Sequence, residues 1–328
     1  MITASTTLKE VSALPEFANF SNYVMVCRPE TWAKMSGRPI VPPGTEATNP
    51  YAAERAVRGI ERIRALINSG RQVAFDLWDD QETSADPTRA NTKLFYFPGK
   101  PRAPFVLVIA GGGYQSVCNS MEGFPAAVEL NDLGYNAFVL SYRVRTSSNT
   151  ERALADVAQA IAYIDKHREH FDVAPDYAVM GFSAGAHLTA EWGTDNLGFS
   201  SRKARTPNAL FLCYAPIDLH TVETAEDQRF LNTVCSNRIH ERIDTYCVNK
   251  HVWDGYPPTY LWHCKDDNVV PFENYKIMRA ALDAVGVENS GHTFDKGGHA
   301  LLGPHAPEAD HWMEMITPSL LEWLPLQI

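Results

Sequence analysis

A serine between two glycines is the residue of this chain whose setting most directly suggests chemistry. Residues 181–185 read Gly-Phe-Ser-Ala-Gly, after a short apolar run and before a helix-prone segment. The pattern is typical of a strand, a sharp turn and a helix, with Ser183 at the apex. Glycines are needed at the flanking positions because a Cβ there would clash where strand and helix approach each other. The pattern predicts an exposed nucleophilic hydroxyl, with free N–H groups behind it at the start of the helix.

A serine hydroxyl becomes a good nucleophile only when a base takes its proton and a third group orients the base. With this type of turn, the acid and then the histidine follow the serine along the chain. Asp266 and Asp267 follow one apolar strand, and His299 follows a Gly-Gly pair after another. Asp267 is favoured because it precedes Asn-Val-Val-Pro, where a turn begins the next helix, whereas Asp266 is expected to cap the turn or to face water. His299 is favoured over His292, which opens its strand.

Three consecutive glycines provide candidate donors for an oxyanion. Residues 105–110 are predicted to form a buried parallel strand, and Gly-Gly-Gly-Tyr follows directly. We expect the N–H groups of Gly112, Gly113 and Ala184 to form an oxyanion hole. A phosphate-binding loop is the alternative, but the run is neither Gly-x-Gly-x-x-Gly nor followed by Gly-Lys-Ser/Thr, which disfavours nucleotide binding.

An ordered series of motifs resembles the α/β-hydrolase superfamily over roughly residues 72–325. The motifs are Ala-Gly-Gly-Gly-Tyr at 110–114, Met-Glu-Gly-Phe-Pro-Ala-Ala at 121–127, Leu-Gly-Tyr-Asn-Ala-Phe-Val-Leu-Ser-Tyr-Arg-Val at 133–144, the serine turn at 181–185, Pro-Pro-Thr-Tyr-Leu-Trp-His-Cys-Lys-Asp-Asp-Asn-Val-Val-Pro at 257–271, and Gly-Gly-His at 297–299. More narrowly, the chain is similar to the bacterial acetylesterase and acetyl-xylan-esterase-like branch. Ala110 replaces a usual Pro and Ala186 a frequent Gly, departures that concern the subfamily rather than the chemistry.

The resemblance implies an α/β-hydrolase fold, with a mostly parallel central sheet, helices on both faces and a small helical cap. It also implies a serine hydrolase that cleaves carboxylic esters with short acyl groups, acetyl esters of sugars being the candidate substrates. No cofactor or metal is required. Tyr114 and Phe182 are candidate substrate-binding residues, because their rings could stack on a sugar or line an acyl pocket, although core packing is equally compatible with them.

Two alternative functions remain open. An exopeptidase or amidase of the same fold would need a charged anchor for a peptide amine, and Glu223 and Glu226 are the only nearby candidates. A non-catalytic binding protein that inherited the fold is the third hypothesis, disfavoured by the intact serine, aspartate, histidine and glycine loop.

The chain is predicted to consist of an N-terminal segment, residues 1–71, and a catalytic domain, residues 72–328. The segment is expected to be irregular up to residue 50, with an amphipathic helix over 51–69. In the catalytic domain the predicted strands are Val73–Trp78, Lys93–Phe97, Phe105–Ala110, Ala137–Tyr142, Tyr177–Met180, Ala209–Tyr214, Thr259–His263 and 291–295. The predicted helices are 121–133, 150–169, one from 184, 272–285 and 307–323.

The order of these elements predicts the sheet. The first two strands have no predicted helix between them and are expected to form an antiparallel hairpin, after which alternation with helices indicates a parallel sheet. Residues from about 217 to 256 break the alternation. We predict a small helical cap over the site there, with a surface excursion as the alternative.

Composition limits the partners. The chain has 328 residues, 45% of them hydrophobic, which suits one large α/β domain. Its net charge of −10 disfavours nucleic acid and anionic membranes, because both would repel the average surface. No stretch has the apolar length of a signal peptide or a transmembrane helix, so a cytoplasmic location is expected. The predicted partner is a small-molecule ester; the sequence leaves the oligomeric state open, and a homodimer is compatible with it.

The cysteines predict no metal site and no disulfide framework. All 6 lack C-x-x-C spacing. Cys235 and Cys247 fall in the same polar stretch, and the sequence leaves open whether they pair.

Overall fold

An eight-stranded sheet forms the centre of the molecule in a computed structural model that describes residues 1–145, 149–221, 231–234, 239–299, 309 and 311–326. The strand order is β1-β2-β4-β3-β5-β6-β7-β8. The first two pairs, β1–β2 and β2–β4, are antiparallel and all others are parallel. The strands are β1 Ala74–Phe75, β2 Lys93–Phe97, β3 Phe105–Ile109, β4 Asn136–Ser141, β5 Tyr177–Phe182, β6 Ala209–Cys213, β7 Thr259–Cys264 and β8 Asn289–Phe294.

Helices cover both faces of this sheet. They are α1 Leu8–Ser12, α2 Pro29–Met35, α3 Thr45–Thr48, α4 Pro50–Asn68, α5 Asp80–Ala85, α6 Phe124–Leu133, α7 Asn149–Lys166, α8 Arg168–Phe171, α9 Ala184–Gly193, α10 Ile239–Arg242, α11 Glu273–Ala284 and α12 Trp312–Trp323. Short 3₁₀ segments lie at Pro15–Phe17, Ser21–Tyr23, Pro87–Asn91, Leu219–Thr221, Ile243–Tyr246 and Val248–Lys250. One π-helical turn, Asn119–Gly123, leads directly into α6.

The buried strands divide their side chains between two apolar clusters, one on each face of the sheet. In β3, Phe105, Leu107 and Ile109 belong to one cluster and Val106 and Val108 to the other. Every residue of β3 is buried, as expected for a strand covered on both sides. The α/β-hydrolase fold predicted from the motifs is therefore present.

The N-terminal segment packs on the sheet through α4. Ala52, Ala56, Ile60 and Ile63 of this helix are buried in the same cluster as Val106 and Val108. Its Gly59 lies so close to α6 that a Cβ there would approach the backbone of Phe124 to 3.0 Å. Helix α4 matches the predicted amphipathic helix. The expectation of an irregular chain before it is wrong in detail, because α1, α2 and α3 lie there.

Two further predictions need correction. The first strands are antiparallel, with Ala74 opposite Phe95, but α5 and the 3₁₀ segment Pro87–Asn91 connect them in place of a simple hairpin loop. Strand β1 has 2 residues, fewer than predicted. The last helix is described over Trp312–Trp323, and its predicted start at 307 lies outside the described residues.

The described part of the predicted cap contains only short helical stretches, namely residues 231–234, α10 and three 3₁₀ turns. Residues 222–230 and 235–238 lie outside the described residues, and with them Glu223, Glu226 and Cys235. Pairing between Cys235 and Cys247 therefore stays an open question. In the part of the chain that the structure covers, no helix is both long and apolar enough to cross a lipid bilayer. The cytoplasmic location stays a prediction.

Candidate active site

The serine turn joins β5 to α9 at the carboxyl edge of the sheet. Ser183 has φ 51° and ψ −121°, a strained combination for a residue with a side chain. A Cβ at Gly181 would lie 2.3 Å from the Gly185 carbonyl oxygen, and one at Gly185 would lie 2.2 Å from the Ile109 carbonyl oxygen. Both positions therefore require glycine, and the strain at Ser183 directs its hydroxyl away from the packed backbone.

The structure brings together the three residues predicted as a triad, although they are far apart in sequence. The distance from His299 Nε2 to Ser183 Oγ is 2.9 Å, and from His299 Nδ1 to Asp267 Oδ2 it is 2.8 Å. Each residue follows the end of a different parallel strand, β5, β7 or β8. Because the carboxyl ends of parallel strands meet at one edge, such loops converge there.

Asp267 is held in an environment that keeps it ionised. Burial by itself would raise the pKa of this carboxyl, but hydrogen bonds from His263 and His299 and from the Val270 amide lower its pKa well below the ordinary value. Its Oδ1 accepts hydrogen bonds from the Val269 and Val270 amides, both at 2.9 Å. An ionised carboxylate only accepts hydrogen bonds, so His299 Nδ1 carries a proton and Nε2 is free to accept one from Ser183.

The neighbouring candidates have supporting positions. Asp266 is exposed, and its Oδ1 accepts a hydrogen bond of 2.8 Å from the amide of Gly298, next to His299. His263 is buried, with Nε2 3.0 Å from the Val270 carbonyl oxygen and 3.2 Å from Asp267 Oδ2. His292 lies within β8. Among the two aspartates and two histidines weighed from the sequence, Asp267 and His299 are the pair in contact.

The glycine loop after β3 lies directly against the serine turn. A Cβ at Gly111 would be 2.8 Å from the Ser183 Cβ. The backbone is left-handed at three consecutive residues, with φ 128° at Gly112, 60° at Gly113 and 54° at Tyr114.

The amides of this loop are available to a ligand. The Gly112 and Gly113 N–H groups donate to no protein acceptor among the described residues, and the same holds for Ala184 N–H at the start of α9. The oxyanion hole predicted from these three amides therefore has unused donors, beside the nucleophile.

Tyr114 and Phe182 occupy the core rather than an open surface. Both side chains are 0% exposed. The Tyr114 hydroxyl is 2.8 Å from His187 Nδ1, and the Phe182 ring packs edge-on against Trp312. These contacts support packing, the alternative that the sequence left open, and they count against direct substrate contact in this conformation.

A buried glutamate beside the site was missed by the sequence analysis. Glu122 is 5% exposed, and its Oε2 accepts a hydrogen bond of 2.5 Å from the Gly111 amide. Burial raises its pKa, against the lowering effects of the Gly111 amide, Tyr214 and the charge of His299. The sequence carried one signal, since Glu122 stands in the motif Met-Glu-Gly-Phe-Pro on which the resemblance rests, but no role was assigned to it.

One group of side chains has atoms of the kind that bind metals. The ligand atoms of Asp218, His220 and Cys247 lie within 4.8 Å of one another. Cys247 Sγ is 3.5 Å from Asp218 Oδ1, and His220 Nε2 is 2.7 Å from Asp244 Oδ1. These protein contacts account for the grouping without an ion.

The sequence was then compared with known proteins. A family model, BD-FAE, matches residues 95–282, more than half of the chain. The chain belongs to the BD-FAE family. The match spans the glycine loop, Ser183 and Asp267, and ends before His299. Together with the relatives described next, it confirms the resemblance to acetylesterase-like α/β-hydrolases.

Three relatives illustrate the similarity. An endo-1,4-beta-xylanase B of Butyrivibrio fibrisolvens is 31% identical over 60% of this chain and 32% of its own length. An acetylxylan esterase of Xylanibacter ruminicola is 28% identical over 62% of this chain and 42% of its own length. The chain thus spans less than half of these curated relatives. The crystal structure of an acetyl ester-xyloside bifunctional hydrolase from Caldicellulosiruptor lactoaceticus superimposes with a TM-score of 0.64, 27% identity, and coverage of 77% of this chain and 97% of that one.

Proposed function

We propose that this protein is a serine hydrolase of carboxylic esters, with Ser183 as nucleophile, His299 as general base and acid, and Asp267 as the group that orients the histidine. The observation that carries the proposal is the continuous line of contacts from Ser183 Oγ through both nitrogens of His299 to Asp267, at 2.9 and 2.8 Å. The membership of the BD-FAE family and the esterase names of two relatives support it.

The first half of the reaction forms an acyl-enzyme. Ser183 Oγ attacks the ester carbonyl carbon while His299 Nε2 takes the hydroxyl proton, and Asp267 stabilises the resulting imidazolium. The carbonyl oxygen becomes an oxyanion and accepts hydrogen bonds from the N–H groups of Gly112, Gly113 and Ala184. Each such donor contributes about 3 kcal/mol to transition-state stabilisation. His299 then protonates the leaving alcohol as the C–O bond breaks.

The second half returns the enzyme to its starting state. Water gives a proton to His299 Nε2 and attacks the acyl carbon, and the same three amides bind the second oxyanion. His299 then returns the proton to Ser183 Oγ, and the carboxylic acid leaves. Every step uses side chains and amides of this chain.

We propose short-chain esters, with acetylated sugars as the leading class, for two reasons. An acetylxylan esterase and an acetyl ester-xyloside hydrolase are among the relatives by sequence and by structure. In addition, the glycine loop lies directly against Ser183, where a Cβ at Gly111 would be 2.8 Å from the Ser183 Cβ, and this close packing leaves little room for a long acyl chain on that side.

A substrate panel tests the proposal against its amidase alternative. We expect hydrolysis of p-nitrophenyl acetate and release of acetate from acetylated xylan, with negligible cleavage of an aminoacyl p-nitroanilide. The Ser183→Ala protein, prepared in parallel, provides the background rate. Preferential cleavage of the anilide would contradict the ester assignment, while cleavage of aryl acetate without release from xylan would contradict the sugar-ester class only.

A further inference from the structure

Glu122 places a carboxyl group beneath the glycine loop, on the side away from solvent. It belongs to the π-helical turn Asn119–Gly123, which brings it close to the loop before α6 begins. A Cβ at Gly123 would lie 2.6 Å from Val139 Cγ1 of β4, so this turn packs closely against the sheet. π-Helical turns inside or beside α-helices are frequent at functional sites.

One oxygen of this carboxyl fixes the first peptide of the loop. Gly111 N–H donates to Glu122 Oε2 at 2.5 Å, and the Gly111 carbonyl accepts a hydrogen bond of 3.0 Å from Cys118 N–H. The Gly112 carbonyl in turn accepts hydrogen bonds from the amides of Gln115 and Ser116, both at 3.0 Å. The carbonyls of Gly111 and Gly112 are therefore both engaged on the protein side.

The directions of the free amides follow from these contacts. In a planar trans peptide the C=O of one residue and the N–H of the next point in opposite directions. Because the carbonyls of Gly111 and Gly112 point to Cys118 and to Ser116, the N–H groups of Gly112 and Gly113 point the other way. The Glu122 contact holds the start of this chain of peptides, where the loop leaves β3.

The other oxygen reaches the wall beside the histidine. The Tyr214 hydroxyl donates to Glu122 Oε1 at 2.9 Å. The Tyr214 ring packs edge-on against His299, with ring centroids 4.9 Å apart and planes at 69°. A single buried side chain thus connects the loop that carries the oxyanion donors with the residue that packs against the base.

We propose that Glu122 is a positioning residue for the reaction, which holds the Gly112 and Gly113 amides and the His299 ring in one arrangement. This inference rests on the proposed function, since it concerns the alignment of that same oxyanion hole. It predicts that the hydrogen bonds of Glu122 matter more than its charge. A carboxamide could accept from Gly111 N–H and donate to the Tyr214 oxygen, whereas an apolar side chain of similar size can do neither.

The test compares Glu122→Leu with Glu122→Gln. We expect Glu122→Leu to lower kcat for p-nitrophenyl acetate on the order of 100-fold, as does the loss of an oxyanion donor. Its KM should stay within about threefold of wild type, because binding of the ground-state ester does not use the oxyanion hole. Glu122→Gln should keep kcat within about tenfold of wild type, since the carboxamide can form both hydrogen bonds. The decisive readout is an acyl trifluoromethyl ketone, whose adduct with Ser183 carries an oxyanion, and its inhibition constant should rise by the same factor as kcat/KM falls.

Two further variants keep the result interpretable. Glu129→Gln is the matched control, because Glu129 is also a buried glutamate on the same segment, with contacts to Tyr51 and Arg58 away from the site; it should leave kcat unchanged. Tyr214→Phe removes one hydroxyl and keeps the ring. It tests the same inference if Glu122→Leu does not fold. It should lower kcat severalfold and raise the ketone inhibition constant equally.

The outcomes separate this inference from the proposed function. If Glu122→Leu folds and keeps kcat and the inhibition constant within twofold of wild type, the inference is wrong. The same result from Tyr214→Phe overturns it where the Leu variant does not fold. If the wild-type protein itself neither cleaves esters nor binds the ketone at Ser183, the proposed function fails.

Discussion

Replacing Asp267 by asparagine should abolish most activity through the tautomer of His299. Asp267 Oδ1 accepts hydrogen bonds from two backbone amides, and Oδ2 lies 2.8 Å from His299 Nδ1 and 3.2 Å from His263 Nε2. In Asp267→Asn, the carboxamide oxygen must stay on the Oδ1 side, because the opposite orientation would set NH₂ against two N–H donors. The NH₂ group therefore faces His299 Nδ1.

This arrangement forces the wrong protonation of the base. His299 Nδ1 must accept a hydrogen bond from the new NH₂ group, so the imidazole proton moves to Nε2. Nε2 is 2.9 Å from Ser183 Oγ and can then no longer take the hydroxyl proton. A loss of this kind lowers kcat on the order of 10⁴-fold, which corresponds to about 5.5 kcal/mol in the activation free energy.

The assay is kcat for p-nitrophenyl acetate at pH 8, with Asp266→Asn as the matched control. Asp266 is exposed and accepts one hydrogen bond from Gly298 N–H, which an asparagine oxygen can also accept. We expect Asp266→Asn to retain kcat within about threefold, because a neutral acceptor weakens one surface bond only. Thermal unfolding of both variants checks that the comparison concerns folded protein.

Equal losses in the two variants, or a larger loss in Asp266→Asn, would show that Asp267 does not set the tautomer of His299. Retention of more than about one hundredth of wild-type kcat in Asp267→Asn would also contradict it, because a misprotonated base leaves far less.

Three other experiments test the nucleophile, the serine turn and the acyl pocket. Ser183→Ala should lower kcat more than about a thousandfold with little change in melting temperature, since Ser183 is only partly buried and its hydroxyl bonds to the part-buried His299; measurable turnover above that level would exclude Ser183 as the nucleophile. Gly185→Ala should cost more than about 3 kcal/mol in the free energy of unfolding, because its Cβ would lie 2.2 Å from the Ile109 carbonyl oxygen. Gly37→Ala, with no atom within 4 Å of the added Cβ, should be near neutral in the same denaturant titration. Across p-nitrophenyl esters, kcat/KM should fall at least about tenfold from acetate to octanoate, or about 1.4 kcal/mol, whereas a rise toward octanoate would indicate an apolar acyl tunnel.

The elements that could be predicted are those that a local sequence pattern specifies. Strand β2 has the predicted bounds Lys93–Phe97, and β3 ends one residue before the prediction, because continuous apolar runs between turn residues specify buried strands. Helix α5 was missed despite a capping box, in which Asp79 and Glu82 exchange side-chain and backbone hydrogen bonds. The capping box is visible in the sequence, and it predicts a helix between the first two strands in place of a simple hairpin loop.

The residues of the site also divide into those that a local pattern identifies and those that depend on tertiary neighbours. Ser183, Asp267 and His299 could be selected because each follows a recognisable strand, in the expected order along the chain. Glu122 could not, because a buried carboxyl acquires its partners from the loop after β3 and from Tyr214, 92 residues further along the chain. The burial of Tyr114 and Phe182 likewise depends on tertiary neighbours, His187 and Trp312, that no local pattern specifies.

Mass spectrometry of the protein treated with a fluorophosphonate identifies the nucleophile without reference to any substrate. We expect one covalent adduct per chain, mapped by peptide sequencing to Ser183, because only a serine beside a correctly oriented histidine attacks the phosphorus rapidly. The adduct should be absent from Ser183→Ala and should form much more slowly in Asp267→Asn. Labelling at another residue, or equal labelling of the Ser183→Ala protein, would contradict the assignment of Ser183 as the nucleophile.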